Sequence, residues 1–423
     1  VKSIHIYTKN SSARQEYIFR IFFDDQYTLH TDPDTYIQAP GYHIAYANEA
    51  PPGTQLHIIP EGLLCGSELR NTFLSPLPAL WSETELPART DIFALAFFII
   101  TRLEEYHSPH TDQHGRFLPQ YSILAAHNMH IPWIDVWRSL LWDRILYQVP
   151  ATVFNKPEFR VLPSFDIDHA YAFRGKGFLK NTGGLLRDLF LGKASAFASR
   201  LRYLSKGDDP YDTYSYIHTQ LHIHKLRAVF FLLCGWRNPP YDTPVNLSSA
   251  AYQQLLPELR AMGEIGLHPS YASHNSIQAL QQEYHLLQSN IPAAVSATRQ
   301  HFLRIQWPDT YRRLLETGIR SDYTMGYASQ TGFRAGTCRP FSWFDPEKNQ
   351  ETPLRVYPFS CMDGTLNEYL GLSPEEAIQR VHELRNITRR YNGVFVSLWH
   401  NHSLSNRGHW KGWRPVFEDM LRS

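Results

Sequence analysis

Cysteine is scarce in this chain: four among 423 residues, at Cys65, Cys234, Cys338 and Cys361. They are widely spaced and form no C-x-x-C pair, which excludes a disulfide framework and a zinc ribbon and leaves buried free thiols. An excess of one charge is also missing. Lys and Arg number 41 against 40 Asp and Glu, a net charge of +1, so nothing global draws the chain to nucleic acid or an anionic membrane, although a local patch is compatible with that total. Long hydrophobic runs are absent too. The most apolar stretch, 92–100, is far too short to span a bilayer, and residues 1–10 lack a charged-then-apolar signal pattern. The expectation is a soluble, cytoplasmic chain with no transmembrane segment and no nucleic-acid partner. With 14% aromatic and only 19% charged residues, disorder is excluded as well.

What is abundant is histidine, 21 residues, about twice its usual share. The chain is long enough for two or three domains. Residues 4–7, 17–23 and 56–59 are aromatic and β-branched runs between Pro, Gly, Asn and Asp clusters and predict short strands. Helices are expected over 91–103 and 133–147. The stretch 148–157, with prolines at both ends, marks a boundary between a first domain at 1–150 and a second at 158–423. Beyond it the rhythm becomes βα: strand-like 160–165, 228–233, 264–267, 295–298, 355–359 and 394–398 alternate with helix-length segments, the first of them 178–204. Such alternation predicts a parallel sheet or a (β/α) barrel behind a smaller α+β N-terminal domain.

Polar residues cluster just past these apolar runs, where barrel enzymes collect catalytic groups. Asp166 and Asp168 stand two apart on a strand and so share a face. One carboxylate can bind a cation while the other stays free as a base; an isolated D-x-D would more simply cap a loop. His268 precedes Pro269 and is held extended there. Arg299 and His301 share one face of a strand end, Asp322 follows a later strand, and His400 and His402 follow the last. His and Asp around an open position are the makings of a catalytic zinc site. His107, His110 and His114 crowd a Pro- and Asp-containing stretch that reads as a solvated loop.

These motifs resemble the polysaccharide deacetylase family, the NodB-homology or carbohydrate esterase family 4 fold. The chain as a whole is similar to a bacterial subgroup with an N-terminal domain of unknown function. Ser164-Phe-Asp166-Ile-Asp168 resembles a variant of the family's first motif, which implies Asp166 as general base and Asp168 as metal ligand. His268 matches the first histidine of the second motif, but the position four later is Ala272, which cannot ligate. His274, six positions on, is about 240° round a helix or ~20 Å along a strand, so His301 is the preferred substitute. Arg299 resembles the arginine that orients the base. Asp322 resembles the aspartate that orients the catalytic histidine, and the run 394–400 resembles the strand leading to that histidine, His400. Trp399 could wall a sugar site.

The resemblance implies a hydrolase that removes an N-acetyl group from an amino sugar or acetylated glycan. Its divalent ion, of the zinc class, would be held by Asp168, His268 and His301. Asp166, Arg299, Asp322 and His400 would carry the proton chemistry. Ala272 motivates the rival of a deacetylase-like glycan-binding protein without activity. A metal-free glycosidase needs a second acid roughly 5 to 10 Å from Asp166, and no good partner is visible. The N-terminal domain is expected to serve substrate access or assembly, and the tail around Trp410 and Trp413 to pack against the barrel mouth.

Overall fold

The computed structural model describes residues 3–66, 81–87, 90–150, 152, 154, 157–176, 178–235, 241–242 and 246–422. Part of the expected boundary stretch therefore lies outside the described residues.

The N-terminal unit runs β1 (Ile4–Tyr7), α1 (Ala13–Phe23), β2 (Tyr27–His30), α2 (Pro33–Gln38), β3 (Tyr42–Tyr46), β4 (Leu56–Ile58), α3 (Ile92–Ile100), α4 (Ile123–Ala126) and α5 (Trp133–Gln148). Its four strands pair in parallel in the order β2-β1-β3-β4, which sharpens the α+β expectation to α/β. The strand expected over 17–23 is helical instead. Ser12 caps it by accepting from the Gln15 N–H, and Phe19, Phe22 and Phe23 sit at helical spacing with their rings 5.0–6.0 Å from that of Phe93. Tertiary packing here overrides β propensity.

Helix α3 begins where expected, with Asp91 accepting from the Ala94 N–H. Every residue in it is buried, because both units pack on it: Phe97 joins Tyr17 and Phe344 of the second unit in one ring cluster. A helix apolar all round needs partners all round.

The second unit contains β5 (Arg160–Ile167), α6 (Phe178–Phe190), α7 (Ala194–Lys206), α8 (Tyr214–Ile223), β6 (Ala228–Leu233), α9 (Ala250–Met262), β7 (Gly263–His268), α10 (Ile277–Gln288), β8 (Ala297–Thr298), α11 (Asp309–Thr317), β9 (Ser321–Asp322), β10 (Phe341–Asp345), β11 (Gln350–Val356), β12 (Phe359–Met362), α12 (Pro374–Arg390), β13 (Val394–His400) and α13 (Arg414–Met420). The strand order is β10-β11-β9-β8-β7-β6-β5-β13-β12, parallel except for the β10–β11 hairpin. β11 and β12 are nearly continuous in sequence. Arg355 and Val356 pair with β9, while 359–362 pair with β13. The Phe359 N–H also reaches the Met325 carbonyl at 3.0 Å. One stretch of chain thus joins both margins of the sheet and closes it into a distorted (β/α) barrel, as the alternation predicted.

The register brings the polar strand ends level. His400 of β13 pairs with Asp166 of β5, and Leu233 of β6 with His268 of β7. Cys234, Cys338 and Cys361 are buried free thiols, and Cys65 is exposed. No helix among the described residues is long and apolar enough to cross a membrane.

Candidate active site

Asp168, His268 and His301 converge. Each offers one ligand atom, and the three lie within 4.8 Å of one another. The Nδ1–H of His268 donates to the Arg299 carbonyl at 2.5 Å. In the neutral ring this leaves the lone pair of Nε2 facing Asp168 Oδ1, 3.2 Å away. That oxygen is buried without a hydrogen-bond partner. Burial opposes a proton on this ring, but Asp166 and Asp168 favour one, so either that proton or a shared cation can lie between the two atoms.

His301 repeats the pattern. Its Nδ1–H donates to Asp242 Oδ1 at 2.9 Å, and its Nε2 lies 3.9 Å from Asp168 Oδ2. A tetrahedral ion with bonds of about 2.1 Å sets its ligands ~3.4 Å apart, between these two separations. The donor set, two imidazole nitrogens and a carboxylate oxygen, fits a divalent cation of intermediate softness.

Ala272 is compensated from the next strand. Asp242, fully buried, accepts the N–H groups of Tyr271 and Ala272 at 2.8 and 3.2 Å as well as the His301 ring. It therefore fixes the loop after β7 and the His301 ring together. Asp242 was not singled out from sequence, since nothing in its loop marks it. Directly after His301, Phe302 and Leu303 both adopt left-handed conformations, with φ of 58° and 56°, a strain on the order of 1–3 kcal/mol each that the surrounding packing sustains. His274 does not join the cluster. Burial, with Arg304 and Arg313 nearby, holds its ring down to about 3.

Asp166 is 3% exposed, and its Oδ1 accepts from Arg299 Nη1 at 2.9 Å. Arg299 is fully buried. It also donates to Ser164 Oγ at 2.6 Å and the Tyr323 carbonyl at 3.0 Å, and lies over the Phe231 ring at 4.6 Å. Asp166 Oδ2 faces His268 Nε2 at 3.7 Å. Burial opposes ionisation of Asp168, yet His301, His268 and His400 hold it well below the usual carboxylate range.

Asp322 does not reach His400. Both its oxygens are engaged by Tyr311 Oη and Thr324, and burial pushes it up to about 6. Asp363 orients His400 instead: Oδ1 accepts from Nδ1 and Oδ2 from the backbone N–H, each at 2.8 Å. The only sequence signal was its position one residue past β12. His400 and His402, not separable from sequence, now differ. Burial lowers both, but Asp363, Asp168 and Asp166 raise His400 to about 10, while His402 falls to about 4 beside it.

These residues open on a cavity of about 240 Å³. Trp399 is not in its wall: it is fully buried and donates to Met420 Sδ. Trp410 from the tail lines the cavity, as does Arg116 from the N-terminal unit. Arg116 donates to Asp112 at 2.7 Å and to Tyr369 Oη at 3.1 Å. His114, expected in a solvated loop, is buried with its ring 4.7 Å from Phe302. The loop that carries it is a wall of the mouth.

Fold and site together define a (β/α) barrel with an Asp-His-His cluster at the carboxyl ends of its strands. The model for a family of unknown function (DUF7033) matches residues 4–150. No curated protein matches the chain. Among solved structures, one assigned as a polysaccharide deacetylase from Mycobacterium smegmatis is 16% identical over 64% of this chain and 85% of its own, with a TM-score of 0.41. The BpsB deacetylase domain from Bordetella bronchiseptica is 16% identical over 41% of this chain and 90% of its own, with a TM-score of 0.24. Likeness at this level carries no chemistry; the geometry above does.

Proposed function

We propose that the chain is a metal-dependent hydrolase that removes an N-acetyl group from an amino sugar or acetylated glycan. The observation that carries this reading is the convergence of Asp168, His268 and His301, whose ligand atoms lie within 4.8 Å of one another, beside a carboxylate held by arginine and a histidine held by carboxylate. Asp168, His268 and His301 would hold the ion, a zinc-class cation by donor type. When bound, such an ion lowers the pKa of a coordinated water and polarises a carbonyl.

The remaining work falls to this chain's own groups. Asp166 accepts a proton from the attacking water, and Arg299 holds its carboxylate in place. His400, kept protonated by Asp363, delivers a proton to the departing amine nitrogen. Without that proton the amine is a poor leaving group, so an acid and a base beside one cluster suit amide hydrolysis. Trp410 and Tyr369 line the cavity, and their aromatic faces would suit a pyranose ring. His301 at the cluster supports the hydrolase over a glycan-binding protein without activity, since it offers a third ligand atom where Ala272 offers none.

The test uses the purified full chain, stripped of metal and reloaded with zinc or cobalt, on N-acetylglucosamine oligomers. Acetate release that requires the metal and is lost in Asp166→Asn and His268→Ala is expected. Absence of acetate with every metal, or release indifferent to chelator and to both substitutions, overturns the reading.

A further inference from the structure

The segment 178–204, expected as one long helix, breaks at the turn after Phe190 into α6 and α7. These form a helical hairpin inserted between β5 and α8, and its burial is inverted. Asn181 and Asp188 are buried, while Leu186, Leu189 and Phe190 stand in solvent, Phe190 at 86% exposure. Leu191 at the turn and Leu201 on α7 are exposed as well. At 100° per residue, Leu189, Leu186 and Phe190 fall in one arc about 100° wide, with Arg187 about 60° beyond its edge. Helix α7 buries none of its residues. A helix of a water-soluble domain ordinarily turns such an arc toward the core.

Charge is concentrated in the same place. Residues 174–206 carry eight Lys and Arg against one acidic residue, Asp188, a net +7, while the rest of the chain is net −6. Asp188 is engaged within the hairpin, accepting from Arg200 Nε at 2.9 Å. The next acids along the chain are also occupied. Asp208 pairs with Arg407 at 2.7 Å and Asp212 with Arg174 at 3.4 Å. Asp209 accepts the N–H groups of Ala172, Phe173 and Arg174. Lys193, Arg202 and Lys206 are exposed and form no ion pair among the described residues.

We infer that the α6–α7 hairpin docks the chain on an anionic lipid surface. Leu189, Phe190 and Leu191 enter the boundary between headgroups and acyl chains, and Lys193, Arg202 and Lys206 meet the headgroups. A nucleic acid or an acidic protein would use the cations but not five large apolar side chains exposed among them. A second copy could cover the apolar tip only by bringing one +7 segment against another.

The hairpin's base is tied near the cavity mouth, because Asp209 fastens the backbone of residues 172–174 shortly after Asp168. Helix α6 rises about 20 Å over its length. The docking goes beyond the hydrolase reading and does not depend on it.

The experiment is flotation of the full chain with vesicles of phosphatidylcholine alone or mixed with phosphatidylglycerol. Binding to the mixed vesicles about tenfold or more tighter than to neutral ones, and weakened by salt, is expected. The triple variants L189S/F190S/L191S and K193E/R202E/K206E should each lose about tenfold or more, with thermal unfolding unchanged because these side chains are exposed. Equal binding to both vesicle types overturns the inference, as does parent-like binding by either variant. So does a tip-dependent dimer, seen by light scattering, in a chain that ignores vesicles. Acetate release is not part of the readout, so failure here is distinct from failure of the hydrolase.

Discussion

Asp363 holds His400 twice, one carboxylate oxygen on the ring Nδ1–H and the other on the residue's own backbone N–H, both at 2.8 Å. The pair sets tautomer, ring plane and charge at once, and it presents Nε2 to the cavity.

Replacing that carboxylate while keeping its shape tests all three. Asp363→Asn is expected to lower kcat for acetate release by about 10²- to 10⁴-fold, the range of a lost acid or a misdirected tautomer. The pH profile carries the sign. A histidine raised to about 10 keeps its proton through neutrality and loses it only as pH rises through that value. Removing Asp363 lowers the value, so the alkaline limb of the profile should move to lower pH. An unmoved limb would assign the proton donor elsewhere.

Asp242 orients His301 as Asp363 orients His400, so Asp242→Ala should weaken metal binding by about 10- to 100-fold, the usual effect of losing a partner behind a ligating histidine. His274→Ala should leave metal content unchanged, since that ring lies outside the cluster. Metal retained after dialysis against graded chelator, measured by elemental analysis, reads both. Loss of metal in the His274 variant would restore the ligand set first considered from sequence.

Glu105 joins the two units. Its carboxylate accepts from Arg102 Nε at 2.7 Å, Arg334 Nε at 3.0 Å and Trp307 Nε1 at 2.8 Å. Burial opposes its charge, and Arg334 and Arg102 overcome that to hold it at about 2. A depressed carboxylate stabilises fully above its ordinary value near 4.5 and loses that contribution as pH falls toward 2. The linkage is worth about 3 kcal/mol. Urea unfolding should show this loss between those pH values, and Glu105→Gln should flatten it. The same substitution at neutral pH leaves buried Arg334 without its carboxylate, while Arg102 keeps Glu104 at 2.6 Å, and should cost about 3–5 kcal/mol. An acid limb identical in both proteins would remove Glu105 from the account.

Much of this was legible because strand ends announce themselves. Asp166, Asp168, His268, Arg299 and His400 each follow an apolar run, and parallel strands bring such positions level. His301 could be named because it shares a strand face with Arg299. The misses have a common physical source. Asp363 and Asp242 act on the backs of histidine rings, and a supporting carboxylate is defined by what lies beside it in space. Asp322 sits at a strand end like the others, yet Tyr311 and Thr324 consume it, and no pattern along the chain shows that. Residues 17–23 have strand-like composition, but their fate was decided by Phe93, about 70 positions away. The basic hairpin was hidden inside a neutral total.

The stretch 355–362 that bridges β9 and β13 divides the labour of the wall. Asp168, His268 and His301 hang on β5, β7 and β8 of one uninterrupted parallel run. Asp363 stands one residue beyond the bridging stave, and His400 on the stave beside it. The ligand cluster and the proton donor are therefore mounted on different timbers, and damage to the bridging piece would unseat the acid before it disturbed the ligands.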